Sequence, residues 1–395
     1  MNIGVFLGEF EPELGGNYTF QGNILRRLET ARTNHSFFVF YTGGKPVRAS
    51  GKLTYVPLLG IGRLMPRFVK SGLYLLKGIW CRLLRSALKR HGIDIVWFVT
   101  HRFEPVDIPF ICTVLDLEHR IHPFFPEVSV TGSTWDDRER LFRAMIPRAA
   151  YVICGTNEGK RQILNFYHPD ENRVRVVPFP IPSFALEGAE AGREFTSKYR
   201  LDKEYLFYPA QFWPHKNHIA LLRALRLLRD NHRLDMLLVF CGSDKGNLSY
   251  LKETARDWGL QDHVRFLGFV PTNDLFELYR RAFALTFVST FGPDNLPPIE
   301  AFAIGCPVIA SSGEGASEQL GDAALLVNPL SEEEIAGAVR KLHDESATRA
   351  ALIRKGKERA RNIAARDYLR EMALIFDEFD RYRRCWSKKN KYVHL

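Results

Sequence analysis

Between Phe291 and Ala310 the chain reads Phe291-Gly292-Pro293-Asp294-Asn295-Leu296-Pro297-Pro298-Ile299-Glu300-Ala301-Phe302-Ala303-Ile304-Gly305-Cys306-Pro307-Val308-Ile309-Ala310, and the order of its parts decides the architecture. A loop rich in glycine and proline comes first. A short apolar helix carrying Glu300 follows, and then a buried strand. A carboxylate flanked by Ile299, Ala301 and Phe302 needs a partner. Ribose hydroxyls are natural donors to it. The alternative is a carboxylate near a helix N-terminus that complements the helix dipole.

Outward from this stretch, strand-like runs alternate with helix-like runs. Upstream of it, strands are expected at 205–210, 236–241, 264–269 and 283–288, with helices at 217–230, 246–258 and 272–282. Downstream, a strand at 323–327 precedes helices at 331–345 and 347–382. The first half repeats the alternation, with strands at 2–7, 36–41, 94–99, 108–115 and 151–155 and helices near 17–30, 66–91 and 135–148. Such alternation predicts parallel sheets covered on both faces. A proline cluster (Pro178, Pro180, Pro182) and a polar stretch separate the two sets. The expected organisation is a Rossmann-like domain over 1–180, a linker over 181–204 and a second Rossmann-like domain over 205–365. The segment 366–395 is a helix crossing back to the first domain and a basic tail. Two doubly wound α/β domains then face one another across a cleft, and ligands bind at the C-terminal ends of the strands.

The 395 residues are 46% hydrophobic and 25% charged, which excludes a disordered chain or a disulfide scaffold. The six cysteines form no CxxC pair and read as reduced thiols of a cytoplasmic protein. Met1 to Leu7 reads as a first strand and not as a signal peptide. No window is apolar enough to span a membrane. The net charge of +10 is concentrated: Thr30 to Ile93 has twelve basic residues and no acid, leaving the rest of the chain at −2. Within that block, the helical pattern over 63–90 sets Leu73, Leu76, Trp80, Leu83 and Leu84 against Arg67, Lys70, Lys77, Arg85 and Lys89. Such a helix either rests on an anionic membrane or covers a sheet with a solvated basic back. No zinc-finger or RNP-type motif accompanies the charge, so nucleic acid is not an expected partner.

Three further loops bear on chemistry. Gly15-Gly16 follows the first strand and lets backbone come close to an anion at a helix N-terminus, although a plain tight turn fits equally. Lys216, in Gln211-Phe212-Trp213-Pro214-His215-Lys216-Asn217, sits where a helix begins. A cation there costs stability unless a diphosphate or another anion compensates, or unless it is simply a surface lysine. Leu115-Asp116-Leu117-Glu118-His119-Arg120 offers a histidine able to orient a sugar or take a proton, or else merely packed. Asp116 and Glu118 alone are a poor metal set.

The run PPIEAFAIGCPVIAS, followed by Gly313-Glu314-Gly315-Ala316-Ser317-Glu318 and Gly321-Asp322-Ala323-Ala324-Leu325-Leu326-Val327, resembles the nucleotide-sugar domain of retaining glycosyltransferases of family 4, which have the GT-B fold. The resemblance extends over nearly the whole chain. It implies that Glu300 binds the ribose and Lys216 the diphosphate. It implies that backbone at Gly16 and along Asn295, Leu296 and Pro297 meets the phosphates and sugar, and that Phe269 and Val270 line the base pocket. Asp116 and His119 fall where the first domain supplies catalytic and sugar-facing groups. Three positions depart from the family's pattern. Gly292 stands where the first glutamate of the E-x7-E motif belongs, with Asp294 or Asn295 expected in its place. Gln211 stands for an arginine of the diphosphate pair, and Leu115 for a histidine. The resemblance implies sugar transfer from a nucleotide-sugar donor to a glycan or lipid-linked acceptor, with retention and without metal or cofactor. The implied setting is the inner face of the cell membrane, in bacterial surface polysaccharide synthesis. The alternative is a catalytically degenerate subunit that binds nucleotide sugar without transfer.

Overall fold

The computed structural model describes residues 1–10, 15–42, 53–58, 73–101, 103–129, 134–188 and 195–386. The first domain holds a seven-stranded sheet: β1 (Asn2–Glu9), β2 (Ser36–Thr42), β3 (Thr54–Pro57), β4 (Ile95–Phe98), β5 (Phe110–Thr113), β6 (Tyr151–Cys154) and β7 (Val174–Val176), in the order β3-β2-β1-β4-β5-β6-β7. The second holds six strands: β8 (Tyr205–Pro209), β9 (Leu237–Cys241), β10 (Val264–Phe266), β11 (Ala284–Phe287), β12 (Val308–Ser311) and β13 (Ala324–Val327), ordered β10-β9-β8-β11-β12-β13. Every strand pair described is parallel. The central strands are buried on both faces, which is why Ile95–Phe98, Tyr151–Cys154 and Leu237–Cys241 read as continuous apolar runs.

Strand order reverses between β1 and β4 in one sheet and between β8 and β11 in the other. At these switch points the connections leave in opposite directions and open a crevice. The loops after β1, β8 and β11 carry Gly15-Gly16, Gln211–Asn217 and Ser289–Asn295. Topology therefore gathers three of the sequence-predicted loops into one place.

The long helical stretch after Ser346 is two helices, Ser346–Ala365 and Tyr368–Arg383. Asp367 breaks them apart by capping the second, its carboxylate accepting from the N–H groups of Leu369 and Arg370. The last helix returns to the first domain. Tyr368, Met372, Ile375, Phe376 and Phe379 are buried there, with Tyr368 and Phe376 against Trp97. Arg383 closes the contact on Asp94 at 3.0 Å. Arg383 is thus part of the core contact and not of a solvated tail. Lys388, Lys389 and Lys391 lie outside the described residues.

The stretch expected as a linker is more structured than its composition implies. Short helices form at Ser183–Glu187 and Phe195–Tyr199, and Ile181, Ala185, Phe195, Tyr199 and Leu201 are buried in the second core. The expected basic helix is described from Leu73 to Arg90. Its residues 63–72 lie outside the described part. Leu84 and Leu88 pack against the first sheet, while Arg82, Leu83, Arg85, Lys89 and Arg90 are exposed.

Candidate active site

Lys216 is set by the turn that leaves β8. Pro214 opens a 3-10 turn, and Asn217 takes a left-handed conformation with φ of 55°. The Asn217 amide donates to the carbonyl of Pro329 at 2.6 Å, and the Tyr208 hydroxyl to the carbonyl of Lys216 at 2.8 Å. The helix His218–His232 starts only after this turn. The ammonium is thereby folded under the strand ends. Nζ reaches Ser289 Oγ at 3.4 Å and lies over the Phe287 ring. No carboxylate is within ion-pair distance of it among the described residues. Burial pushes its pKa down to about 8, against the pull of Asp116, Glu118 and Glu127. A cation left short of counter-charge in a cleft is a receptor for an anion.

Glu300 lies in the helix Leu296–Ile304, whose first turn holds Pro297 and Pro298. It is buried. Its Oε2 accepts from the Tyr279 hydroxyl at 2.6 Å, and burial pushes its pKa up to about 7. The preceding loop is braced by Asn295. The Asn295 amide donates to the Gly292 carbonyl at 2.9 Å, and its backbone N–H to Gln319 Oε1 at 3.0 Å. Gly292 has φ of 103°, and a Cβ there would sit 2.9 Å from Asn295 Oδ1. Glycine is thus demanded at this position by backbone conformation and by space.

The first domain comes in from the opposite side. Gly15, with φ of 61°, lies against Gln211, whose amide donates to Ser243 Oγ at 2.9 Å. Gly16 opens the first helix with free space around its α-carbon. Asp116 accepts from the Glu118 N–H at 3.3 Å, and its charge acts on Lys216 and His215. Glu118 accepts the Gly292 N–H across the cleft at 2.8 Å. Burial raises its pKa, and Asp116 adds to the rise.

Several expected residues sit elsewhere. His119 is fully buried, faces Glu139 and Tyr167 and stacks on Phe142. It therefore serves the interior of the first domain and lines neither of the cavities described below. The histidines that do meet the cleft are His122 and His215. Asp294 points towards Gly155 of the first domain, where a Cβ would overlap its Oδ2, and it accepts from the Gln319 amide. Burial pushes it up to about 7, with Glu318 adding. Leu296 lines the same inter-domain space as Asp294. Val270 is in the second core, and Phe269 is exposed; neither lines the cavities below.

Contacts that the sequence reading does not name tie the domains together. Glu127 accepts the His215 N–H at 3.1 Å and contacts His215 Nδ1. The His215 ring stacks on Phe291 at 4.1 Å. Glu318 accepts from the N–H groups of Asn157 and Glu158, at 2.7 and 3.1 Å, at the start of the helix Asn157–Tyr167. Burial pushes His215 down to about 4, while its hydrogen bonds, opposed by burial, hold Glu127 below the usual carboxylate range. The unfolded chain therefore takes up a proton at His215 between roughly pH 6.5 and 4 that the native chain refuses. Stability is expected to fall by up to about 3 kcal/mol as pH drops through that window. Thermal melts of His215→Asn, which keeps the backbone bond to Glu127, are expected to show a shallower fall.

Among the described residues, two of the cavities lie between the domains. The larger, about 620 Å³, is lined by Gly155, Asp294, Lys355 and Arg359, among others. Its cations are engaged: Lys355 pairs with Asp322 at 2.8 Å, and Arg359 donates to the Gln319 carbonyl at 2.6 Å. The smaller, about 290 Å³, is lined by Glu118, His122, Ser289, Gly292 and Asn295. It adjoins Lys216 through Ser289, which makes it the candidate reaction site. Among the described residues, no group of three or more His, Cys, Asp or Glu could hold a metal ion.

Residues 193–359 match the family model of Glycosyl transferases group 1. Over 235 residues the chain is 27% identical to the O-antigen chain mannosyltransferase RfbU of Salmonella typhimurium, covering 60% of this chain and 62% of that protein. It spans between about half and three fifths of the first curated relatives it matches. Sucrose-phosphate synthase of Thermosynechococcus elongatus superposes with a TM-score of 0.73, over 98% of this chain and 100% of that one, at 17% identity. HepE of Anabaena, solved in complex with UDP and glucose, superposes at 0.70, over 96% and 99%, at 15% identity. At such identities the likeness is one of fold. The match to Glycosyl transferases group 1 thus covers most of the second domain, and the fold is the GT-B architecture of two facing Rossmann-like domains.

Proposed function

We propose that this chain is a glycosyltransferase that moves a sugar from a nucleotide-sugar donor to a glycan or lipid-linked acceptor in surface polysaccharide synthesis. The observation that carries the reading is Lys216, a cation that no carboxylate of the described residues pairs, beside the inter-domain cavity. In the transfer, the bond from the anomeric carbon to the diphosphate oxygen breaks as the acceptor oxygen bonds to that carbon. The leaving phosphate takes the electron pair and ends with the proton lost by the acceptor hydroxyl, and Lys216 meets the charge as it develops. Glu300 is placed to accept from ribose hydroxyls. The reading includes retention of configuration and transfer without metal. It draws support from a relative named as an O-antigen mannosyltransferase and from a fold neighbour solved with UDP and glucose. Incubation with α-linked UDP- and GDP-sugars, followed by proton NMR without added metal, is expected to show slow release of the α-sugar. Bound nucleotide with every conjugate left intact would contradict transfer and leave a non-transferring subunit.

The same proposal places the chain at an anionic membrane surface through the helix Leu73–Arg90. Arg82, Leu83, Lys89 and Arg90 are exposed on it; Arg85, also exposed, pairs with Asp107 at 2.8 Å. Each basic residue near such a surface contributes on the order of 1 kcal/mol. Reversing Arg82, Arg85 and Lys89 to Glu is expected to cut co-sedimentation with phosphatidylserine vesicles by at least about tenfold. Unchanged sedimentation of the folded variant removes this helix from the proposal. Among the described residues, no helix is long and apolar enough to cross a membrane.

A further inference from the structure

We propose that Glu118 and His122 form a clamp, assembled across the cleft, for a hydroxyl of the glycosyl unit. The clamp rests on the glycosyltransferase reading above. Glu118 is 4% exposed, and both its oxygens are committed. Oε1 accepts the Gly292 N–H of the second domain at 2.8 Å, and Oε2 lies 2.8 Å from His122 Nδ1 of its own domain. The carboxylate therefore engages Nδ1 and leaves Nε2 turned away from it, able to meet a hydroxyl, which both donates and accepts. Nε2 has no hydrogen-bond partner among the described residues. The ring is held face-on to Phe291 at 5.4 Å and edge-on to Phe125. His122 lines the smaller cavity together with Ser289 and Asn295. That cavity, about 290 Å³, is at the small end of ligand sites and has room for one sugar ring. Lys216 stands at its edge, 3.4 Å from Ser289 Oγ. The proposal sets the donor's phosphate on Lys216 and a hydroxyl of its sugar on Nε2 of His122.

The clamp is also a closure device. Its carboxylate draws one donor from each domain and its imidazole stacks on Phe291 of the second, so the clamp is complete only when the Phe291-Gly292 loop is docked. A ring hydroxyl of the wrong configuration misses Nε2, which makes His122 a specificity-determining residue as well as a positioning one.

The test is a calorimetric titration of the full chain with UDP, GDP, UDP-glucose and GDP-mannose. It compares wild type, His122→Phe and Glu118→Gln, with melting temperatures as a folding control. Phenylalanine keeps the stack on Phe291 and removes both nitrogens; glutamine keeps the shape of Glu118. For His122→Phe, the ratio of conjugate Kd to bare-nucleotide Kd is expected to rise about five- to tenfold, with bare-nucleotide Kd within about twofold of wild type. For Glu118→Gln a smaller rise in the same ratio is expected. A ratio unchanged in both variants overturns the clamp. So does an equal weakening of bare nucleotide and conjugate, the mark of a merely structural role. A wild type that binds neither nucleotide overturns the glycosyltransferase reading itself, and the clamp with it.

Discussion

Replacing Lys216 by methionine is expected to weaken binding of a nucleoside diphosphate about 100-fold, while raising the melting temperature of the ligand-free protein by a few degrees. Both effects have one cause. The ammonium is partly buried, touches Ser289 Oγ at 3.4 Å and has no carboxylate at ion-pair distance among the described residues, and burial depresses its pKa to about 8. Between roughly pH 8 and 10.5 the unfolded chain binds a proton there that the native chain lacks, so this group adds stability as pH rises through that window. Below pH 8 its charge is a standing cost that methionine, of similar length, does not incur. A diphosphate supplies the missing counter-charge through charge-assisted bonds, each worth roughly 1.5–3 kcal/mol. Bound anion stabilises the ammonium, so affinity is expected to fall as pH climbs past about 8, and to stay flat in Lys216→Met. Titrations at pH 7, 8.5 and 9.5 check both statements. A variant that binds as tightly as wild type removes Lys216 from the site.

Glu300→Ala is expected to lose about ten- to fiftyfold in affinity for the same nucleotide and nothing for inorganic pyrophosphate. On the proposed function Lys216 meets the phosphates and Glu300 the ribose, so the two losses are expected to separate by ligand. The stability signs are also opposite in direction. The native carboxyl, buried beside the Tyr279 hydroxyl, is pushed up to about 7 from 4.5. From roughly pH 4.5 to 7 the native state holds a proton that the unfolded chain releases, so stability falls by up to about 3 kcal/mol as pH rises across that window and then levels. Glu300→Gln keeps an acceptor for Tyr279 and removes the titration. Its melting temperature is expected to exceed that of wild type at pH 7.5 and to vary less between pH 5 and 7. Equal pyrophosphate and nucleotide losses in Glu300→Ala would assign the residue to folding instead of ribose binding.

Much of the fold is legible in the sequence because parallel strands covered on both faces become unbroken apolar runs. Ile95–Phe98 and Leu237–Cys241 announce themselves in this way. Short edge strands do not. Val174–Val176 has three residues between Arg173 and a proline cluster, too few for any period to show. The helix Asn157–Tyr167 opens on polar residues because its first turn is docked on Glu318 of the other domain, a dependence that local pattern cannot reveal. The expected linker shows the same limit. Phe195 and Tyr199 are two apolar residues in polar surroundings, and only tertiary packing buries them.

The site divides along the same line. Lys216 and Glu300 are marked by chemistry that is wrong for their surroundings, a cation at a helix start and a carboxylate in an apolar helix. Such misfits survive in the sequence. His119 is the natural reading of its motif, yet the short helix Glu118–Ile121 turns it inwards to Glu139 and brings Glu118 and His122 to the cleft. One helical turn separates Glu118 from His122, so the i,i+4 spacing of carboxylate and histidine was the available signal. Glu127 and His215 are 88 residues apart, and nothing short of the folded cleft pairs them.

The most direct test of the central claim is a calorimetric titration of the wild-type chain with UDP, GDP, ADP and CMP at pH 7.5, each without and with inorganic pyrophosphate as competitor. The account predicts that one nucleoside diphosphate binds with a micromolar Kd and that pyrophosphate competes with it for Lys216. No heat from any of the four, in a protein whose melting curve shows it folded, would contradict a nucleotide site at Lys216 and Glu300.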